Sequence, residues 1–333
     1  MDRITLAHGS GGTVMHKLID SMIIKELGNP ILRQKKDSAL LRVGRTKLAF
    51  TTDSYVVSPI FFPGGDIGSL AVYGTVNDLS VCGARALYLS LGLIIEEGLG
   101  KDVLGRIVRS VKIAARRAGV DIVTGDTKVV ERGSCDKIFI NTSGVGEVYY
   151  EKLSLDSIKA GDAVIVSGTI GEHAISILSQ REGIEFESRV RTDSAPLGRL
   201  IYKVLAAPGA VRFMRDPTRG GVATTLNEIT ASGRFGISLD ERAIPVGAGV
   251  RQACELLGFD PLYLACEGRF LMVAAMKDAG RILGIIRKDT AGKRAAIIGA
   301  VTADYKGKVY LNTAAGGKRL VEMLPGEQLP RIC

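Results

Sequence analysis

Apolar and polar positions along the chain follow two rhythms. Met15, Leu18, Ile19, Met22, Ile23 and Leu27 recur at helical spacing and stop at Gly28, which predicts a first helix. Residues 47–52 alternate as a strand does and run into Thr51-Thr52-Asp53. The stretch Ile67 to Val81 predicts a helix, 87–95 a strand, and Lys101 to Ala118 a further helix whose apolar Val103, Leu104, Ile107, Val108 and Val111 are closed by Gly119. Strands return over 120–124 and 137–148. Residues 150–159 are polar and without period, and 162–167 then opens a second unit. Helices are expected there near 171–180, 197–207, 220–232 and 247–257, with strands near 270–275 and 295–301. After Ala314 the period fades, and two prolines with Gly326 in the last ten residues exclude a helix.

These elements predict a mixed α/β (α+β) class in two domains, 1–152 and 153–320, followed by an extended, mobile tail over 321–333. The 333 residues suit two domains of roughly 150 each. The longest apolar stretch, 86–95, is half a membrane span and predicts a buried strand. The start of the chain lacks a basic flank before an apolar run, so no signal peptide is visible, and a soluble cytoplasmic protein is expected. No Trp and 41 Gly favour a loop-rich enzyme over an all-β binding module. The net charge of +9 comes from dispersed basic residues without aromatic interleaving, which suits an anionic nucleotide and argues against nucleic acid. The five cysteines, at 82, 135, 254, 266 and 333, include no CxxC pair, against a zinc site or disulfide framework.

Chemistry concentrates in short polar segments. His8-Gly9-Ser10-Gly11-Gly12 precedes the first helix, where backbone N–H groups can approach a phosphate; a plain surface turn is the alternative. Asp37, Asp53, Asp78, Asp126 and Asp216 stand at the ends of predicted elements, each also readable singly as a cap or turn former. Five such carboxylates together suit magnesium facing a triphosphate. Lys128, two residues beyond Asp126, can neutralise phosphate oxygens, and Asp216-Pro217-Thr218-Arg219-Gly220-Gly221 forms a second loop of the same kind. Cys333 ends the chain with no core of its own to fill, and ten extended residues from Leu324 reach about 33 Å.

HGSGG at 8–12, TTDS at 51–54, FFPGGDIG at 61–68, GTVNDL at 74–79, VTGDTKVV at 123–130, DPTRGG at 216–221 and the terminal PRIC together resemble the hydrogenase maturation HypE family. That family is a branch of the superfamily of aminoimidazole ribonucleotide synthetase, selenophosphate synthetase and thiamine-monophosphate kinase. The resemblance spans residues 8 to 333, and PRIC is specific to the HypE branch. It implies an aminoimidazole ribonucleotide synthetase-like fold, with the N-terminal sheets of two chains pairing into a barrel-like homodimer and ATP with Mg2+ in the cleft. It implies a carbamoyl dehydratase. The carbamoyltransferase HypF loads Cys333, ATP drives dehydration to a thiocyanate, and cyanide passes to iron on a HypC–HypD complex for nickel–iron hydrogenase. The catalytic residues expected are Cys333, Glu267, Lys128 and His8. Glu267 enters by its family position alone, since its own context reads as an edge-strand surface acid. Nucleotide contacts are expected from Gly9, Ser10, Gly11, Gly12, Asp53, Asn77, Thr127, Thr218, Arg219 and Gly220, and metal contacts from the five aspartates. The alternatives are a selenophosphate synthetase or small-molecule kinase, or a non-catalytic thiol carrier. Residues 8–20 contain no Cys, against the first, and a carrier would not bind ATP tightly.

Overall fold

A computed structural model describes residues 3–183, 190–326, 329 and 331–333. Residues 327, 328 and 330 of the expected tail lie outside the described residues. The first helix, α1 (Thr13–Leu18), continues through a π turn (Ile19–Ile23) and a short helical turn (Ile24–Leu27) to Gly28. Its apolar Met22, Ile23 and Leu27 face solvent.

Five strands form the first sheet: β1 (Ala39–Val43), β2 (Thr46–Tyr55), β3 (Ala84–Glu96), β4 (Asp121–Val130) and β5 (Ile138–Val148). Their order is β1-β2-β5-β3-β4, and only β3–β4 is parallel. Two helices cover one face, α2 (Ile67–Val81) and α3 (Lys101–Ala118). Asp66 starts α2 by accepting the Ser69 N–H, while Ser69 Oγ takes the Asp66 N–H. Nearly all of α2 is buried, because it lies between its own sheet, α3 and the second domain. The other face of the sheet is open. Phe50, Tyr88 and Ile94 are exposed there, so the strand expected to be buried over 86–95 is only half covered within one chain. The sheet is not closed into a barrel in this chain.

The second sheet contains β6 (Ala163–Val166), β7 (Val211–Arg215), β8 (Gly236–Asp240), β9 (Leu271–Ala274), β10 (Ala296–Thr302), β11 (Val309–Asn312) and β12 (Lys318–Val321). Its order is β12-β11-β8-β10-β6-β9-β7, with β8–β11 the parallel pair. Every side chain of β6 and β9 is buried, as expected for strands with both faces covered. The helices of this unit are α4 (Glu172–Glu182), α5 (Gly198–Ala206), α6 (Gly221–Thr230), α7 (Ala248–Leu257) and α8 (Met276–Arg287). Among the described residues no helix is long and apolar enough to cross a membrane.

Two expectations need correction here. Residues 121–130 form one long edge strand, so Asp126, Thr127 and Lys128 stand mid-strand instead of in a strand-end loop. The end of the chain does fill a core. Ile332 and Leu329 are buried in the apolar cluster of Val57, Phe62 and Ile138, and Cys333 packs against it. Val56 N–H donates to the Cys333 carbonyl (3.0 Å) and Ser58 N–H to that of Arg331 (3.3 Å), an antiparallel pairing.

Candidate active site

The two domains enclose a cleft of about 230 Å³. The first domain lines it with Gly11, Lys36, Asp37, Thr51, Asp53 and Asp78, and the second with Arg215, Asp216, Thr218, Arg219, Glu228 and Glu267. Cys333 also lines it. Local structure explains the convergence. Asp53 lies near the end of β2 and Asp78 in the last turn of α2, while Asp216 follows β7 directly and Glu267 precedes β9.

Arg215 sits between two carboxylates, with Nε 2.9 Å from Asp37 and Nη1 2.9 Å from Glu228. The Thr51 hydroxyl lies 2.9 Å from Asp78 Oδ2 and 2.8 Å from the Asp37 carbonyl. Arg219 approaches Asp53 at 3.6 Å. Burial raises the pKa of Asp78 well above the usual range, and the charges of Asp216, Asp37 and Asp53 raise it further. Burial and Asp37 push Asp216 up to about 8, against the opposing effect of Arg215. Glu267 is 3% exposed, and its Oε1 has no hydrogen-bond partner. Its pKa is also raised well above the usual range, first by burial, then by Asp216, Asp53 and Asp193, with Arg219 opposing. A carboxyl in this state is suited to exchanging a proton with a bound group.

The Glu267 backbone is held from both domains. Its carbonyl accepts from Asn77 Nδ2 (3.1 Å), and its N–H donates to Asp193 Oδ1 (3.3 Å). A Cβ on the next residue, Gly268, would lie 1.8 Å from the Asp193 carbonyl oxygen, so only glycine fits this turn.

Several expected contacts do not enter the cleft. Asn77 uses its whole amide on backbone: Nδ2 also donates to the Ala195 carbonyl (3.1 Å), and Oδ1 accepts the Leu197 N–H (2.8 Å). It braces the domain junction and is not among the residues that line the cleft. Of the glycine loop only Gly11 lines the cavity. The Thr13 and Val14 N–H groups donate to the carbonyls of Leu324 (2.9 Å) and Pro325 (3.2 Å), so the helix start holds the base of the tail in this conformation. Gly12 permits that approach, since its Cβ would lie 2.4 Å from the Leu324 oxygen. Gly9 accepts weakly from Arg219 (3.5 Å), and Ser10 Oγ bonds the Ala7 carbonyl. His8 Nδ1 accepts the Thr5 N–H (3.0 Å), and His8 is not part of the lining. Gly220, at φ +72°, serves the turn into α6. Asp126 and Lys128 form an exposed ion pair at 2.9 Å on β4, away from this cleft, and Thr127 lies beside them. Sequence reasoning passed over Arg215, although it adjoins the Asp216 motif, and Lys36, which adjoins Asp37. Glu228 carried no local signal at all.

The donor set fits magnesium. Four aspartates and the unpartnered Glu267 oxygen face one small cavity, and Lys36, Arg215 and Arg219 stand at its walls. Among the described residues no three acidic, His or Cys side chains close around a single point as a complete ligand cage. Magnesium needs only one or two carboxylates when phosphates and water supply the rest.

Residues 35–148 match the family model for the AIR synthase related protein N-terminal domain, and residues 159–312 that for its C-terminal domain. The chain is 49% identical over 331 residues to carbamoyl dehydratase HypE of Azotobacter vinelandii, covering 99% of this chain and 97% of that protein. It is 44% identical over 339 residues to carbamoyl dehydratase HypE of Escherichia coli strain K12, covering 100% of each. A solved HypE–HypF complex contains a chain that superposes with a TM-score of 0.87 at 45% identity, covering 92% of this chain and 99% of that one. A HypE structure in complex with ATP superposes with a TM-score of 0.83 at 49% identity, covering 99% and 100%.

Proposed function

The chain belongs to the carbamoyl dehydratase HypE branch of the AIR synthase related family, and on that premise we propose that it uses ATP to dehydrate a carbamoyl group carried on Cys333. The S-carboxamide becomes a thiocyanate, whose cyanide supplies the iron of nickel–iron hydrogenase. One observation carries the reading: Cys333, the last residue of the chain, lines the same cavity as Glu267 and four aspartates.

The amide oxygen is a poor leaving group, so it must first be phosphorylated. Transfer of the ATP γ-phosphoryl to that oxygen leaves ADP, and loss of phosphate with two N–H protons converts S–C(=O)NH2 into S–C≡N. Glu267, buried and with one uncommitted oxygen, takes one of these protons in its carboxylate form, which the Arg219 charge favours, and the other leaves on the phosphate. Arg219 and Lys36 offset phosphate charge at the cavity wall, and Thr218 lies beside them. Asp53, Asp78 and Asp216 are the residues that would hold magnesium, which when bound neutralises phosphate charge. Lys128, Thr127 and Asp126 lie on the open edge strand, so we assign them to the cleft of a second copy. The open face of the first sheet supports such a homodimer. HypF as the carbamoyl donor, a HypC–HypD complex as the acceptor, and a cytoplasmic location complete the reading.

Intact mass spectrometry of the C-terminal peptide tests it, after incubation with the carbamoyltransferase, carbamoyl phosphate and ATP–Mg2+. A carbamoyl adduct on Cys333 that loses one water only when Glu267 is present is the expected result. No adduct on Cys333 with a competent donor would sink the proposal.

A further inference from the structure

The last residues of the chain are held by groups that lie outside the cleft lining. His173, in the first turn of α4, is fully buried. Its Nε2 lies 2.8 Å from the Ile332 carbonyl oxygen and its Nδ1 2.7 Å from Thr192 Oγ1. A carbonyl only accepts, so Nε2 carries the hydrogen and Nδ1 accepts from the Thr192 hydroxyl. Burial lowers the imidazole pKa and keeps this neutral tautomer. Thr192 is itself fixed. Its Oγ1 accepts the Ser194 N–H (3.0 Å), and its N–H donates to the Pro63 carbonyl (2.8 Å). The adjacent Asp193 carboxylate takes the Glu267 and Gly268 N–H groups, each at 3.3 Å. One short segment therefore orients the imidazole that meets the tail and the main chain of the glutamate that faces it.

We propose that His173 is a positioning residue for the dehydration step: held by Thr192, it fixes the Ile332 carbonyl so that Cys333 is presented to Glu267. The inference rests on the function proposed above for its chemistry, and on geometry alone for the anchoring. Burial of the Ile332 side chain favours docking but has no direction, so it cannot select a register. The Ile332 carbonyl is the last peptide acceptor before the thiol, and fixing it fixes the peptide plane that leads into Cys333. A slip of one residue would turn the Cys333 side chain to the opposite side. Arg181, further along α4, grips the preceding Arg331 carbonyl (2.9 Å) and the Ser58 carbonyl (2.7 Å), which adds hold at the neighbouring peptide.

The test uses the full-length chain and the alkylation of Cys333 by iodoacetamide, read from the mass of the C-terminal peptide. His173→Ala removes the donor and should speed alkylation roughly tenfold, the size expected for one buried hydrogen bond. His173→Gln keeps an N–H donor and should restore alkylation close to the rate of the unmodified sequence. ATP affinity should stay unchanged in both. In single-turnover conversion of carbamoylated Cys333, His173→Ala should slow thiocyanate formation by a similar factor while loading by the carbamoyltransferase proceeds normally. If His173→Ala is too unstable to isolate, Thr192→Val leaves the imidazole and removes the hydroxyl that orients it, and the same acceleration is expected. Unchanged alkylation in the folded variants, or equal acceleration in His173→Ala and His173→Gln, overturns the anchor. Faster alkylation of His173→Ala, slowed again in His173→Gln, in a protein that never forms thiocyanate, upholds the anchor and overturns the function.

Discussion

Replacing Asn77 by Ala would remove three hydrogen bonds at once from the junction between the domains. The Nδ2 group donates to the carbonyls of Ala195 and Glu267, and Oδ1 accepts the Leu197 N–H, at 3.1, 3.1 and 2.8 Å. The side chain is 1% exposed, so water cannot replace these partners without opening the junction. Leaving a buried backbone group unsatisfied costs at least about 1 kcal/mol, so the variant should lose about 3–4 kcal/mol of stability. For a chain of this size that corresponds to a fall in Tm of roughly 4–6 °C. Asn77→Asp keeps the acceptor for Leu197 but loses both donors and buries a charge, so it should be at least as unstable. The assay pairs thermal unfolding by circular dichroism with ATP titration at a temperature where the variant remains folded. A bracing role predicts the Tm loss with ATP affinity within about twofold of the parent. A tenfold loss of ATP affinity with Tm unchanged would refute this reasoning and return Asn77 to the nucleotide contacts that its motif suggested.

Glu267→Gln should slow thiocyanate formation by about 10²- to 10⁴-fold, the usual contribution of a general base, while Cys333 still accepts the carbamoyl group; mass spectrometry of the C-terminal peptide separates the two steps. Asp78→Asn should raise the Tm of the nucleotide-free protein, because it removes a buried carboxyl crowded by Asp216 and Asp37, and should weaken Mg2+–ATP binding; an unaltered affinity in calorimetry would exclude Asp78 from the metal set. Lys128→Ala changes an exposed edge-strand residue and should alter stability by no more than about 0.5 kcal/mol, yet slow dehydration in the dimer; a normal rate would remove Lys128 from the site. Burial lowers the pKa of His173 from its usual 6.5, against the opposing Asp193 charge. The unfolded chain then binds more protons as pH falls below 6.5, so stability is lost on acidification and constant above that pH. His173→Gln should lack this component in a plot of Tm against pH, and an identical profile would disprove it.

The sequence was most legible where an element is long and one-sided. α3 shows a helical apolar stripe closed by Gly119 in the left-handed conformation, and its ends fall where the pattern put them. Strands of four or five residues, such as β7, β8, β11 and β12, are too short to display an alternation, whereas β6 and β9, covered on both faces and without alternation, were marked by their unbroken apolar runs within 162–167 and 270–275. The site followed a similar division. Asp37, Asp53, Asp78 and Asp216 each lie in a polar segment among apolar ones and do converge on the cleft. Asn77 sits inside the same kind of motif but serves the fold, because a motif marks a crowded place without saying which neighbour uses the side chain. Glu228 and His173 lie on helices at positions no local pattern distinguishes, and their roles come from residues more than ten positions away in the chain.

The contacts that dock the tail can be weighed against the cost of ordering it. Its base is pinned where Thr13 and Val14 hold Leu324 and Pro325, so the free reach of residues 326–333 is about 27 Å, shorter than the whole tail suggested. Burying Ile332 and Leu329 contributes about 4 kcal/mol. Hydrogen bonds from Val56, Ser58, His173 and Arg181 add about 1 kcal/mol each. Ordering residues 329 and 331–333 costs about 1–2 kcal/mol per residue, which offsets most of that gain. A net of a few kcal/mol predicts that a partner binding the tail only slightly better would withdraw Cys333 from the cleft. A deeper pocket would have trapped the product on the enzyme, and a weaker one would have left the thiol group unplaced beside Glu267. The directional hydrogen bond at Ile332, set within a small apolar seat, meets both requirements with few contacts.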